Sequence, residues 1–180
     1  DPSNGQQWGV ALRYQPAESQ LNLGIYALAL QDKTPNFSVN IDGTGAVGWT
    51  YAKDRRLYGI SANFPVGDLA VGTELSYRPK DAVALNSATS GCSSQNGNCW
   101  VDESRWQWAL TGLLSLTPST GGGLLKLLGA DTATLLAEAV VIHYPNLKQS
   151  YGPDLITAGG WGWGQLTDPN AAPEALGSKT

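Results

Sequence analysis

The chain has 180 residues, enough for one domain with a core of its own. Its formal net charge is −4, its sequence pI is about 4.8, and only 14% of its residues are charged. This composition excludes the basic surface that a nucleic-acid-binding protein needs.

Glycine and tryptophan are abundant, with 22 Gly and 7 Trp, while the mean hydropathy is only −0.19. These values are typical of all-β proteins. They suit a membrane β-barrel, because every second strand residue is polar there, but they also fit a soluble β-sandwich. No apolar run reaches the roughly 18 residues of a transmembrane helix. The first residues do not resemble a signal peptide, so we expect either a processed protein or a piece of a longer one.

Alternation of apolar and polar residues predicts the first two strands. Residues 8–14 place Trp8 and Tyr14 on one face and Arg13 on the other. A short turn at 15–20 leads to a second, less regular strand over 21–30. A long polar connection at 31–55 follows, with a small strand predicted at Phe37–Ile41.

The clearest pattern in the chain is a hairpin. Its two alternating runs are 56–64 and 69–78, and Pro65-Val66-Gly67-Asp68 supplies the turn between them. A second long polar loop is predicted at 79–104.

Two cysteines, Cys92 and Cys99, lie in that loop with small polar residues between them. This spacing favours a local disulfide and an oxidising compartment. A zinc site is disfavoured, because His143 is the only histidine of the chain.

A further strand is predicted at 106–116, and the segment 124–144 is ambiguous. Leu124–Leu128 fits a short helical turn. Residues 132–144 fit a helix capped by Asp131, although Val140-Val141-Ile142 favours a strand. Glycine and proline are frequent after Pro145, and residues 167–180 are expected to form a flexible tail or loop.

Long and short connections alternate along the chain, as they do in outer-membrane barrels, which have long outer loops and short periplasmic turns. We therefore predict an all-β fold over residues 1–166. It would be an antiparallel up-and-down meander of about six strands that forms part of a transmembrane β-barrel. A sandwich with one solvated face would show the same alternation within its strands.

The two faces of such a barrel can be assigned from the alternation. Residues expected to face the lumen are Arg13, Asn63, Glu74, Arg78, Gln107 and Glu138. Residues expected in aromatic girdles at the membrane interfaces are Trp8, Tyr14, Tyr58, Phe64, Tyr77, Trp106 and Trp108.

The hairpin also carries a family resemblance. The pattern D-x-x-L-Y-G-x-S over Asp54–Ser61, followed by E-x-S-Y-R-P over Glu74–Pro79, resembles an outer-membrane family of unknown function that is common in pseudomonads. Thr73 stands where that family has Gly. Its members are longer, so the chain resembles an internal segment of a larger barrel.

The resemblance implies a bacterial outer-membrane location and passage of small hydrophobic or aromatic compounds. Membrane lipid and a periplasmic protein are the implied partners. We expect no enzymatic activity, because His143 has no nucleophile placed against it. We also expect no cofactor, no metal and no nucleic-acid partner. The alternative is a secreted β-sandwich that binds glycans or apolar ligands, with Trp161, Trp163 and Trp100 as stacking platforms.

Overall fold

The main sheet of this protein is an antiparallel meander. The structure, a computed structural model, describes residues 7–39, 46–86, 92, 95–148 and 150–156. The elements of these residues are β1 (Trp8–Tyr14), β2 (Asn22–Leu30), β3 (Pro35–Val39), β4 (Val47–Tyr51), β5 (Arg55–Val66), β6 (Leu69–Asn86), β7 (Trp100–Leu116), α1 (Pro118–Leu128), β8 (Ala133–His143), β9 (Ser150–Tyr151) and β10 (Asp154–Ile156).

Six long strands form this sheet in the order β1-β2-β5-β6-β7-β8, and each neighbouring pair is antiparallel. The predicted all-β antiparallel meander is thereby confirmed. Within the described ranges, β1 and β8 each pair on one side only, so both edges of the sheet are open.

The connections between these strands lie at two ends of the sheet. The turn end carries the turn after β1, the two-residue turn Gly67-Asp68 and α1. The loop end carries the β3–β4 hairpin, the segment between β6 and β7, and the residues after β8. The connection that holds α1 lies at the turn end, and it is longer than the other two connections there.

The predicted loop at 79–104 is wrong at both of its ends. β6 continues to Asn86 and β7 already begins at Trp100. The register shifts between Arg78 and Asp81, so β6 carries one extra residue there. The bulge accommodates Pro79, which has no N–H to donate, and it changes the alternation that the sequence pattern depends on.

The ambiguous segment contains both a helix and a strand. Pro118 occupies the first turn of α1, and the Thr117 N–H donates to the hydroxyl of Thr120 at 3.0 Å. The helix ends at Gly129, whose φ of 64° suits glycine. The strand predicted over the second half is confirmed as β8. None of the described helical segments is long and apolar enough to span a membrane.

The buried hydrophobic cluster of the described residues lies at the loop end, while Leu116 and Leu125 are buried separately at the turn end. The cluster consists of Val83, Leu85, Val101, Tyr144 and Leu147. We call this cluster, together with β3, β4, β9, β10 and the Cys92–Cys99 segment, the loop-end lobe. The core therefore lies beside one end of the sheet and does not lie between two layers.

Candidate functional site

A polar groove runs along one face of the main sheet, which we call the groove face. Its volume is about 930 Å³. The polar and charged side chains that line it are Arg13, Gln20, Asn22, Ser61, Asn63, Glu74, Gln107, Thr111 and Glu138. Five of the six side chains predicted to face a lumen thus line one groove, and Arg78 is the exception.

Strand register explains why these side chains converge. Ser61 lies opposite Glu74 on the neighbouring strand, and Thr111 lies opposite Glu138. Because alternate residues of a strand point to the same side, cross-strand neighbours project together into the groove.

Tyr26 lies on the groove face, which it shares with Glu74 of the next strand but one. Its ring lies over Gly59, its direct cross-strand neighbour. A Cβ at Gly59 would stand 2.1 Å from the Tyr26 Cζ atom, so no larger residue fits beneath the ring. Sequence analysis missed Tyr26, although its position alternates with the apolar residues of β2.

A charged cluster borders the groove toward the loop end. Asp81 accepts from Arg78 at 3.3 Å and from Arg105 at 3.0 Å, and the Tyr144 hydroxyl donates to it at 2.7 Å. Arg78 and Arg105 lie directly opposite each other on neighbouring strands, and the carboxylate of Asp81, which both contact, offsets their repulsion. Arg78 is therefore held by Asp81, which the bulge turns toward the same side of the sheet.

Burial, together with the hydrogen bond to Asp81, raises the pKa of Tyr144 to about 12. Tyr151 behaves alike: burial and its hydrogen bond to Glu103 raise its pKa to about 12. Both phenols stay neutral at physiological pH and act as donors that tie the loop-end lobe to the charged end of the sheet.

The opposite face of the main sheet, the apolar face, is largely exposed. Leu12 is 66% exposed and Ile60 is 54% exposed. Strand register shows which residues β5, β6, β7 and β8 place on this face. From Tyr58 on β5, Tyr77 on β6, Trp106 on β7 and Val141 on β8 to the turn end, they include no Asp, Glu, Lys or Arg. A soluble protein rarely exposes an apolar area of this extent.

Thr73 is a polar residue on the apolar face, and its hydroxyl is fully used. It donates to the carbonyl of Ala109 at 3.2 Å and accepts from the Trp108 indole nitrogen at 2.9 Å. The Trp108 indole N–H and the Thr73 hydroxyl thus serve as hydrogen-bond partners for each other.

The seven aromatic residues predicted as girdles all lie on the apolar face by register. Tyr58, Tyr77 and Trp106 form one cross-strand row, and the Tyr77 and Trp106 rings are 4.5 Å apart at 33°. Tyr14 and Phe64 lie closer to the turn end. The prediction that all seven lie near strand ends does not hold for Tyr77, Trp106 and Trp108. The strand β6 continues eight residues beyond its predicted end at Arg78, and β7 begins six residues before its predicted start.

The predicted disulfide is confirmed: the sulfurs of Cys92 and Cys99 are bonded to each other. This bond fixes the position of a short segment that pairs with β3. The Val39 N–H donates to the Gly97 carbonyl at 2.7 Å, and the Cys99 N–H donates to the Phe37 carbonyl at 3.0 Å. The disulfide thus holds the β3–β4 hairpin against the rest of the loop-end lobe.

Trp100 does not stand free as a stacking platform. The Arg55 guanidinium lies 5.2 Å from its ring centre, and its indole nitrogen donates to Thr50 at 3.1 Å. Arg55 is also paired with Asp102 at 2.5 Å. The other two candidates for stacking, Trp161 and Trp163, lie outside the described residues, as does the predicted tail at 167–180.

No group of three acidic, histidine or cysteine side chains converges as a metal site within the described part of the chain. Residues 1–180 match the family described as "Protein of unknown function (DUF1302)". No curated protein and no solved structure matches the chain.

Proposed function

We propose that this chain, which belongs to the DUF1302 family of unknown function, forms part of an outer-membrane β-barrel that passes small hydrophobic molecules. The observation that carries the proposal is the contrast between the two faces of one sheet. An exposed apolar face, free of charged residues from the row of Tyr58 and Tyr77 to the turn end on β5 and β6, stands back to back with a groove lined by charged and polar side chains. Lipid-facing and lumen-facing residues alternate in this way in outer-membrane barrels.

The hydrogen bonding of the apolar face supports a lipid environment. Hydrocarbon offers no hydrogen-bond partners, so each polar group there must be satisfied within the protein. The mutual pairing of Thr73, Trp108 and Ala109 meets this requirement. An indole and a hydroxyl that faced water would not need one another.

The open edges of the sheet set a further condition for the proposal. Unpaired backbone groups of β1 and β8 would be costly in lipid, whereas a closed barrel has no edges. We propose that strands outside the described residues, or strands of further copies, pair with these two edges.

The two ends of the sheet also differ in a way that fits the proposal. The loop-end lobe holds a disulfide, which persists in an oxidising environment. Outer-membrane barrels have their long connections on the outer side and their short turns in the periplasm. We therefore propose that the loop-end lobe lies outside the cell and the turn end in the periplasm, where a periplasmic partner protein would meet the barrel.

The lining of the groove suits the proposed passage of small hydrophobic solutes. Leu113 and Ala109 line it together with Arg13, Glu74 and Glu138, so its surface is mixed in polarity. Apolar patches give a hydrophobic solute a surface to follow. The charged groups keep water in the remaining space.

Fractionation and uptake together test the proposal. The protein is expressed behind an export signal of the Gram-negative host, and we expect it in the outer-membrane fraction with heat-modifiable migration on gels. Cells that carry it should take up a hydrophobic fluorescent dye faster than cells with an empty vector. Recovery in the soluble fraction without detergent would instead support the secreted ligand-binding alternative.

A further inference from the structure

The helix α1 offers a second apolar surface, separate from the sheet. It lies between β7 and β8 at the turn end, and its backbone is kinked at Gly121. Leu116, the last residue of β7, lies on the apolar face, because it pairs with Ala133 in the same register as Leu114 with Leu135. An added Cβ at Gly121 would stand only 3.1 Å from the Leu116 Cβ, so the helix backbone passes directly over this leucine. Therefore α1 lies on the apolar side of the sheet.

The leucines of α1 divide between two directions. Leu125 is 2% exposed and anchors the helix. Leu124, Leu127 and Leu128 are exposed, and Leu127 reaches 82%. Their spacing of three and four residues places these three on one face of the helix. Lys126 lies about half a turn away from them and is also exposed.

We propose that α1 lies in the plane of the membrane interface at the turn end, with Leu124, Leu127 and Leu128 inserted at the boundary between headgroups and acyl chains. This inference rests on the proposed function, since it needs the apolar face of the sheet to contact lipid. Lipid is the occupant because the helix continues the same side of the molecule: Leu135, which lies next to this end of the sheet, is 53% exposed. A protein partner would have to enter the lipid boundary to reach these leucines.

The helix has the chemistry of an interfacial segment. Interfacial helices combine an apolar face with a polar face that carries lysine or arginine. Lys126 has a long stem that can extend its ammonium group toward the headgroups while the leucines remain in the apolar boundary. The exposed leucines would thereby add membrane contact that the strands of the sheet do not supply.

Site-specific fluorescence quenching tests this placement. A bimane label is attached to the one added cysteine of each of the variants Leu127→Cys, Lys126→Cys and Ile60→Cys of the full protein. No reductant is used, so that Cys92 and Cys99 remain paired. Each is reconstituted into phosphatidylcholine vesicles brominated either at carbons 6 and 7 or at carbons 11 and 12 of the acyl chain. Heat-modifiable migration checks that each variant is folded.

We expect the label at Leu127 to lose at least half of its emission with the shallow bromines and less with the deep ones. The label at Lys126 should change by less than one fifth. The label at Ile60 reports on the sheet and should be quenched by the deep bromines.

The outcomes separate the two proposals. Quenching at Ile60 without quenching at Leu127 overturns the interfacial helix, including the case in which a protein covers it, and leaves the barrel intact. Absence of quenching at Ile60 overturns the proposed function itself. Equal quenching at Leu127 and Lys126 overturns the assignment of one helix face to lipid.

Discussion

Arginine substitutions on the two faces of β5 should have opposite consequences for stability. Ile60 lies on the apolar face between Ile25 and Leu75, and the next residue, Ser61, lines the groove. If the apolar face contacts lipid, Ile60→Arg places a charge near the bilayer midplane and lowers the free energy of unfolding by about 2–4 kcal/mol. Ser61→Arg places the same charge opposite the carboxylate of Glu74, where we expect a change of less than about 1 kcal/mol.

Urea unfolding in lipid vesicles, followed by tryptophan emission, measures both values. The two variants differ by one position in the same strand, so backbone propensity is matched between them. If the sheet instead faces water, Ile60 is a surface residue, and its replacement should cost within about 0.5 kcal/mol. Equal stability of the two variants would refute the assignment of the faces.

Three further predictions follow from single contacts. Thr73→Val leaves the indole nitrogen of Trp108 without an acceptor and should lower the free energy of unfolding by about 1–3 kcal/mol, whereas Thr73→Ser should retain most of it; the same urea titration measures both. Replacing Cys92 and Cys99 by serine opens a short loop with a sequence separation of 7 and should lower the free energy of unfolding by roughly 2–3 kcal/mol. Hydrogen exchange at the Val39 amide, which donates to Gly97, should then accelerate. Unchanged exchange would show that other contacts hold the β3–β4 hairpin. The raised pKa of Tyr144 means that the folded protein binds the phenol proton more tightly than the unfolded chain does. The contribution of Tyr144 to the free energy of unfolding is therefore complete below about pH 10 and declines as the pH rises toward 12. This decline should weaken in Tyr144→Phe, as followed by hydrogen exchange of the loop-end lobe.

The regular part of the sheet could be predicted from the sequence because its strands obey period two without interruption. Asn63, Glu74 and Gln107 were assigned to one side from alternation alone, and they line one groove. The assignment holds because a half-buried strand repeats every two residues, whatever the partner strand is. The pairing of Cys92 with Cys99 likewise needed only a short polar loop and the absence of other cysteines.

The loop-end lobe could not be predicted, and the reason is local. The bulge after Arg78 adds one residue to β6, so Asp81 points to the same side as Arg78 although their spacing is odd. A sequence pattern of period two does not reveal this bulge, and the cluster that Asp81 forms with Arg105 and Tyr144 was therefore missed. The bounds of α1 also escaped prediction, because Gly121-Gly122-Gly123 is an unfavourable helix sequence that packing against Leu116 overrides.

The proposed barrel depends on three features that support one another physically. If the apolar face contacts lipid, then the charges of the groove must face water, because a carboxylate such as that of Glu74 would otherwise lack a polar surrounding. If both hold, β1 and β8 must find partners, since open edges are not tolerated in hydrocarbon. A soluble sandwich reverses the first condition, because a second layer would have to cover Ile60 and its neighbours, and within the described ranges the buried core lies instead in the loop-end lobe. The two alternatives thus make opposite demands on the same residues, and the environment of Ile60 distinguishes them.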